Sequence, residues 1–175
     1  HRMDSIFREM QWNVVTLKYG HLLQDAFVRR GGEALRDWID DCSNVRYSAL
    51  AHRGGSAWRL ELKSALGDTA GIKELLDEHD DPALQRLMTN LAGHDLDMVR
   101  SAFRAAVDDR PTCFIAYTIK GYGLPFAAHK DNHSGLMSPE QMGTFRAQLS
   151  IEEGDEWDRF AGLGVSPDDL SAFLA

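Results

Sequence analysis

Only two stretches of this chain combine the length and residue types of a strand, and they stand far apart. Residues 12–17 (Trp-Asn-Val-Val-Thr-Leu) and 112–118 (Thr-Cys-Phe-Ile-Ala-Tyr-Thr) are short, nearly continuous apolar and β-branched runs. That is the pattern of strands buried on both faces of a parallel sheet. Everything between residues 19 and 90 reads as helix. Two strands joined only through helices must run parallel or lie in different sheets, because a parallel neighbour is reached by a long crossover rather than a hairpin. Parallel pairing in one sheet is the expectation, so the fold class is α/β with a large helical insertion.

Apolar residues at helical spacing mark the helices. Met3, Ile6, Phe7 and Met10 form the first stripe, and Leu22, Leu23, Ala26 and Phe27 the second. Leu35, Trp38 and Ile39 follow the Gly31-Gly32 break, and Trp58, Leu62 and Leu66 follow Gly54-Gly55. Asp81-Pro82 reads as an N-cap with proline at the first helical position, and Leu84, Leu87, Met88 and Leu91 share one face. These stripes are assigned to packing, and the acidic run at residues 74–81 to a solvated face. At Gly93-His94-Asp95 a loop turns into a helix carrying Leu96, Val99 and Phe103 and running to about Asp108. Asp95 suits the N-cap, and a histidine beside a cap is more often structural than ligand-facing. Ser138-Pro139-Glu140-Gln141 has the form of a capping box before Met142, Phe145 and Leu149. Ser166-Pro167 starts a last short helix with Leu170, Phe173 and Leu174.

The 175 residues suit one domain, and 27 acidic against 19 basic side chains give a net charge of -8, which disfavours nucleic acid as a partner. No apolar run approaches the roughly 20 residues that cross a bilayer, and His1-Arg2-Met3-Asp4 is not a signal peptide. A soluble, cytoplasmic protein with no membrane partner is expected. Cys42 and Cys113 read as reduced core thiols. No Gly-x-Ser-x-Gly elbow, Walker loop, Cys-x-x-Cys pair or dinucleotide glycine fingerprint occurs.

The second strand runs into Lys120-Gly121-Tyr122-Gly123. In open α/β sheets ligands bind outside the carboxyl ends of strands, so this lysine stands where an anion or cofactor would be. Taken alone, a Gly-x-Gly is equally a surface turn with a solvated lysine. The loop beyond it, residues 124–137, contains His129-Lys130-Asp131-Asn132-His133-Ser134-Gly135-Leu136-Met137. His129 and His133 would suit zinc on one helix face, but Asp131-Asn132 favours a turn and no third ligand is near, so no metal is assigned to them.

The run Thr118-Ile119-Lys120-Gly121-Tyr122-Gly123 with its His-bearing loop resembles the thiamine diphosphate (ThDP) enzymes of the transketolase superfamily. It is closest to the homodimeric type of pyruvate dehydrogenase first component, whose strand ends in His-Thr-Ile-Lys-Gly-Tyr-Gly. Tyr117 stands here in place of that histidine. Trp12-Asn13-Val14-Val15, Gly93-His94-Asp95 and the helix from Ser138 are similar to the same family in the same order. The resemblance implies a three-layer α/β/α ThDP-binding fold, of which residues 1–175 are the C-terminal part of a transketolase N-terminal-like domain. It implies decarboxylation of a 2-oxo acid, pyruvate, and reductive acylation of a lipoyl-bearing transacylase in the multienzyme complex that links glycolysis to the TCA cycle.

By the same resemblance Lys120 and His133 are catalytic, Lys120, Gly121 and His133 bind cofactor, and residues 124–137 form a mobile loop that closes over the site. ThDP and Mg2+ are the implied cofactors, and a homodimer the implied assembly. The family's Gly-Asp-Gly and following Asn, which hold metal and diphosphate, do not occur here and are expected upstream of His1. The chain is therefore expected to lack metal ligands, to bind ThDP weakly or not at all alone, and to be inactive by itself. Two other readings stay open. His133-Ser134-Gly135-Leu136 also looks like the His-Gly-rich turn of transketolases, which transfer two-carbon units. The helical middle would alternatively serve as a non-catalytic interaction module.

Overall fold

The structure, a computed structural model, describes residues 2–106 and 109–175. It is helix-rich, with one two-stranded parallel sheet among the described residues. Helix α1 (Arg2–Glu9) leads into strand β1 (Asn13–Leu17). Six helices follow: α2 (His21–Phe27), α3 (Gly32–Asp41), α4 (Asn44–Arg53), α5 (Gly55–Leu66), α6 (Ile72–Glu78) and α7 (Asp81–Met88). A 3-10 turn (Ala92–His94) precedes α8 (Leu96–Ala105) and strand β2 (Thr112–Ala116). After a long loop come α9 (Pro139–Gln148) and α10 (Pro167–Leu174).

The parallel pairing is as expected, in register from Asn13 opposite Thr112 to Leu17 opposite Ala116. Strand β2 stops two residues short of its apolar run, where the Tyr117 carbonyl accepts the Gly93 N–H, and β1 starts one residue late, the Trp12 N–H donating to Phe7 O. The expectation of strands buried on both faces is corrected: of their ten paired positions only Leu17 is buried. Each strand has one neighbour, and the helices packed on β1 are α1 and α8. The main core lies instead among the middle helices. There α5 packs against α4, α6 and α7, enclosing Trp58, Leu62, Leu35, Leu84 and Met88 with no exposed surface.

Why these segments are helices is legible in their caps. Ser43, Asp80, Asp95, Ser138 and Ser166 each accept a backbone N–H from the first turn of the helix they precede, filling a donor that the helix itself cannot pair. Ser138 and Gln141 form the full capping box. The cap of α7 is Asp80, one residue before the aspartate expected, because Asp81 is already helical and pairs with Arg59 at 2.7 Å. The acidic run is solvated as expected at Glu74, Asp77, Glu78 and Asp80, while Leu75 and Leu76 between them are buried on the other face and Glu78 pairs with Arg29.

The apolar stripes of four helices, α1, α8, α9 and α10, are not buried in the core. Leu22 and Leu96 are exposed, as are Met3, Ile6 and Met10 of the first stripe. Met142, Leu149, Phe173 and Leu174 are also exposed, and α8, α9 and α10 contain no buried residue. Phe103 is 58% exposed yet stacks on Phe114 at 4.3 Å, so that side of β2 is covered by one ring. Cys42 and Cys113 are free thiols but half-buried rather than in the core. The helix boundary expected near Asp108 lies outside the described residues. No helix is long and apolar enough to cross a membrane among the described residues.

Candidate functional site at the carboxyl end of the sheet

Past the last paired residues, both strands are held together by irregular backbone bonds. The Tyr117 N–H donates to Leu17 O at 2.8 Å, the Ala92 N–H to Lys18 O at 3.1 Å and the Gly93 N–H to Tyr117 O at 3.0 Å. The 3-10 turn thus wedges against both strand ends. A Cβ on Gly93 would lie 2.6 Å from Tyr117 O, so only glycine permits this approach. Tyr19 and Leu91 complete the wedge through an isolated antiparallel bridge.

The two strand ends carry one lysine each, and their surroundings separate them. Lys18 binds the Asp40 carboxylate and lies over the rings of Tyr19 and Tyr117 at 5.0 and 5.5 Å. Partial burial works against its charge, but hydrogen bonds to Asp40 and Tyr19 outweigh it and raise the lysine pKa. Lys18 is therefore committed to joining α3 to the sheet. Lys120 is exposed, and its side chain makes no ion pair or hydrogen bond among the described residues. An incoming anion meets Lys120 without displacing a carboxylate.

Lys120 is free at its side chain but fixed at its backbone. Its carbonyl accepts the Ala128 N–H at 2.9 Å and the Asn132 Nδ2–H at 2.7 Å. The following Gly121 turns the chain with φ 70°, a left-handed conformation costly for other residues. Ile119 just before it is buried in the core. The His94 Nε2 accepts the Ile119 N–H at 2.6 Å, and its ring stacks on Tyr122 with centroids 3.8 Å apart. Partial burial lowers the His94 pKa.

The loop of residues 124–137 runs through tight turns as far as residue 134 and is anchored in its first half and at Asn132. Ala127 and Ala128 pack on the core, and the Ala127 carbonyl lies 3.2 Å from His52 Nδ1. The His52 and His129 rings meet at 4.7 Å. His133 lies in the second half, exposed, with no hydrogen bond to Lys120 or to any other described residue. His129 Nδ1 is taken up locally by the Asp131 N–H, and no group of three or more His, Cys, Asp or Glu able to hold a metal occurs among the described residues. If the contacts at Ala127 and His129 anchor the loop, His52→Ala should speed amide exchange at Ala128 by about tenfold while leaving residues 133–137 fast in both proteins. Hydrogen exchange on the full protein reads both.

Asp95 ties the site to α2: it accepts the His21 and Met98 N–H groups and lies 3.0 Å from His21 Nδ1. Burial raises its pKa, but these hydrogen bonds overcome that effect and leave the carboxyl below its ordinary value. A depressed folded-state pKa means stability that is present above the unfolded value of about 3.9 and is lost as pH falls through the folded one. Asp95→Asn should remove that part of the acid sensitivity. Denaturant midpoints at pH 5 and pH 3 for the two proteins would coincide in slope if Asp95 carried none of it.

Lys120, Gly121 and His133 are thus placed on one strand end and its loop, with no hydrogen bond between Lys120 and His133 among the described residues. Sequence reasoning missed Asn132, Tyr122 and His52. Asn132 and His52 act through tertiary contacts that no spacing announces. Two surface clefts, of about 270 Å³ between α2 and α7 and about 430 Å³ between β1 and α8, lie elsewhere.

An exposed cation and a left-handed glycine thus stand at the carboxyl end of a parallel strand, the place where open α/β sheets bind ligands. Comparison with known proteins makes this more particular. No protein-family model matches the chain. It is similar to the pyruvate dehydrogenase E1 component of Cupriavidus necator, 26% identical over 159 residues, 88% of this chain and 17% of that protein. It is 28% identical over 159 residues to that of Corynebacterium glutamicum, 88% of this chain and 17% of that protein. With the Mycobacterium tuberculosis E1 component it shares 29% identity over 124 residues, 70% of this chain and 13% of that protein. The chain is similar in sequence to pyruvate dehydrogenase E1 components. It spans about 17% of the length of the first of these relatives.

Proposed function

We propose that this chain is the C-terminal part of a three-layer α/β/α ThDP-binding domain in a pyruvate dehydrogenase of the E1 type. The observation that carries the reading is the strand end itself: an unpaired Lys120 beside Gly121, inside the segment similar to E1 components. The residues fit a diphosphate-bearing cofactor in charge, since one unneutralised ammonium faces solvent where a strand ends. They do not supply a metal site, so Mg2+ would be held by ligands outside this sequence. When bound, ThDP would supply the electron sink for decarboxylation.

In this reading Lys120 and Gly121 hold the cofactor or the substrate carboxylate, Lys120 by charge and Gly121 by letting the backbone come close. His133 arrives on its loop and exchanges protons at an imidazole nitrogen near neutral pH. The substrate is a 2-oxo acid, pyruvate, and the acyl acceptor a lipoyl-bearing transacylase, with the protein working as a homodimer. On this reading the 175-residue chain is inactive alone and binds ThDP weakly even with Mg2+, because its described residues include no group able to hold the metal that joins diphosphate to protein. The deciding experiment is pyruvate-dependent CO2 release and lipoyl acylation by the full-length protein with ThDP and Mg2+. Two-carbon transfer between sugars with no pyruvate turnover would overturn the assignment, and so would tight metal-dependent ThDP binding by the isolated chain.

A further inference from the structure

We infer that His94 is a positioning residue for this strand end: its neutral imidazole accepts the Ile119 N–H, lies flat against Tyr122, and so sets the direction in which Lys120 and Gly121 leave the sheet. The ladder accounts for the need. Paired positions end at Leu17 and Ala116, and the Tyr117 N–H takes the last strand carbonyl, at Leu17. Ile119 is 8% exposed, so its N–H lies past the sheet with little water to receive it. A buried donor without an acceptor is costly, and His94 Nε2 at 2.6 Å is the acceptor provided.

The same ring reaches the far end of the turn. The Tyr122 N–H donates to Ile119 O at 3.1 Å, and its ring is nearly parallel to His94, at 11°. One side chain therefore holds both ends of residues 119–122, with Lys120 and Gly121 between them. His94 is itself held on both sides. Gly93 donates to Tyr117 O, and Asp95 is pinned by His21 and Met98. Accepting at Nε2 requires the ring to carry its proton on Nδ1, and partial burial favours that neutral form. With Nε2 already used, His94 has no free basic nitrogen, which argues for positioning rather than proton transfer.

The consequence for cofactor binding rests on the function proposed above, whereas the contact itself does not. Two substitutions separate the parts: His94→Phe keeps a ring for Tyr122 and removes the acceptor, and His94→Gln keeps an acceptor oxygen and removes the ring. In the full-length protein, hydrogen exchange at the Ile119 amide should rise about tenfold in His94→Phe and stay within about threefold of wild type in His94→Gln. The ThDP half-saturation concentration should rise about fivefold in His94→Phe and less than about twofold in His94→Gln. Unchanged Ile119 exchange in His94→Phe would overturn the inference, as would equal changes in both variants that merely track their thermal midpoints. If His94→Phe does not fold, Tyr122→Ala releases the stack with the histidine intact, and unchanged exchange at Ile119 would again overturn it. A wild-type protein that takes up no ThDP would end the functional proposal, while Ile119 exchange still decides the role of His94.

Discussion

Lys120→Ala in the full-length protein is expected to raise the ThDP concentration for half-saturation by about tenfold to a hundredfold, the scale of one charge-assisted hydrogen bond to an anion. His133→Ala is expected to leave that concentration within about threefold and to lower lipoyl acylation by about a hundredfold or more, the scale of general acid-base help. The contrast follows from where the two side chains stand. Lys120 leaves a turn whose carbonyl is bound twice and whose preceding residue is in the core, so its ammonium is offered at a set place. His133 is exposed and makes no hydrogen bond among the described residues, although Asn132 beside it donates to Lys120 O, and in the proposed function it reaches the reaction by movement of its loop. Titration of ThDP with each variant, followed by lipoyl acylation at saturating cofactor, separates the two. Unchanged acylation in His133→Ala would return that residue to the role of a solvated loop histidine.

The second large effect concerns stability. Trp58→Ala should destabilise the protein by about 3–5 kcal/mol, the range for emptying a fully buried aromatic site, against a typical total of about 5–15 kcal/mol. Trp58 has no exposed surface, meets Trp38 and Tyr47 edge to face at 6.3 and 5.2 Å, and sits on α5 where three other helices converge. Its indole Nε1, however, is buried without a hydrogen-bond partner among the described residues. Trp58→Phe discards that unpaired donor together with part of the ring, so the two changes offset each other and the loss should be less than half that of Trp58→Ala. Urea midpoints of the three proteins test this, and equal losses for both variants would show that volume alone matters at the site.

Much of the architecture was legible in local pattern. Two isolated β-branched runs with helical periodicity between them required a crossover, and the parallel register from Asn13 to Leu17 agrees. Capping signals worked where the side chain acts on its own helix: Asp95, Ser138 and Ser166 all accept the expected backbone donors. The same local logic placed the cap of α7 one residue late, because either Asp80 or Asp81 satisfies the pattern, and in the fold Asp80 caps through the Ala83 N–H while Asp81 is helical and pairs with Arg59. Periodicity also overstated burial for α1, α8, α9 and α10, since an apolar stripe records what a helix offers and not what covers it.

At the candidate site, the sequence by itself determined the composition of the strand end: Lys120 and the glycine after it, the His-bearing loop, and the capped helix that bounds that loop. Residue type and near-neighbour spacing are enough for those, because a left-handed turn or an N-cap is decided within a few residues. Tertiary structure alone decided which lysine is available, by binding Lys18 to Asp40 and leaving Lys120 to solvent. It also decided that His94 serves Ile119 and Tyr122, 25 residues along the chain from the nearer of them. Those outcomes depend on backbone groups left over where the ladder stops and on charges brought together by folding, and neither is written in local sequence.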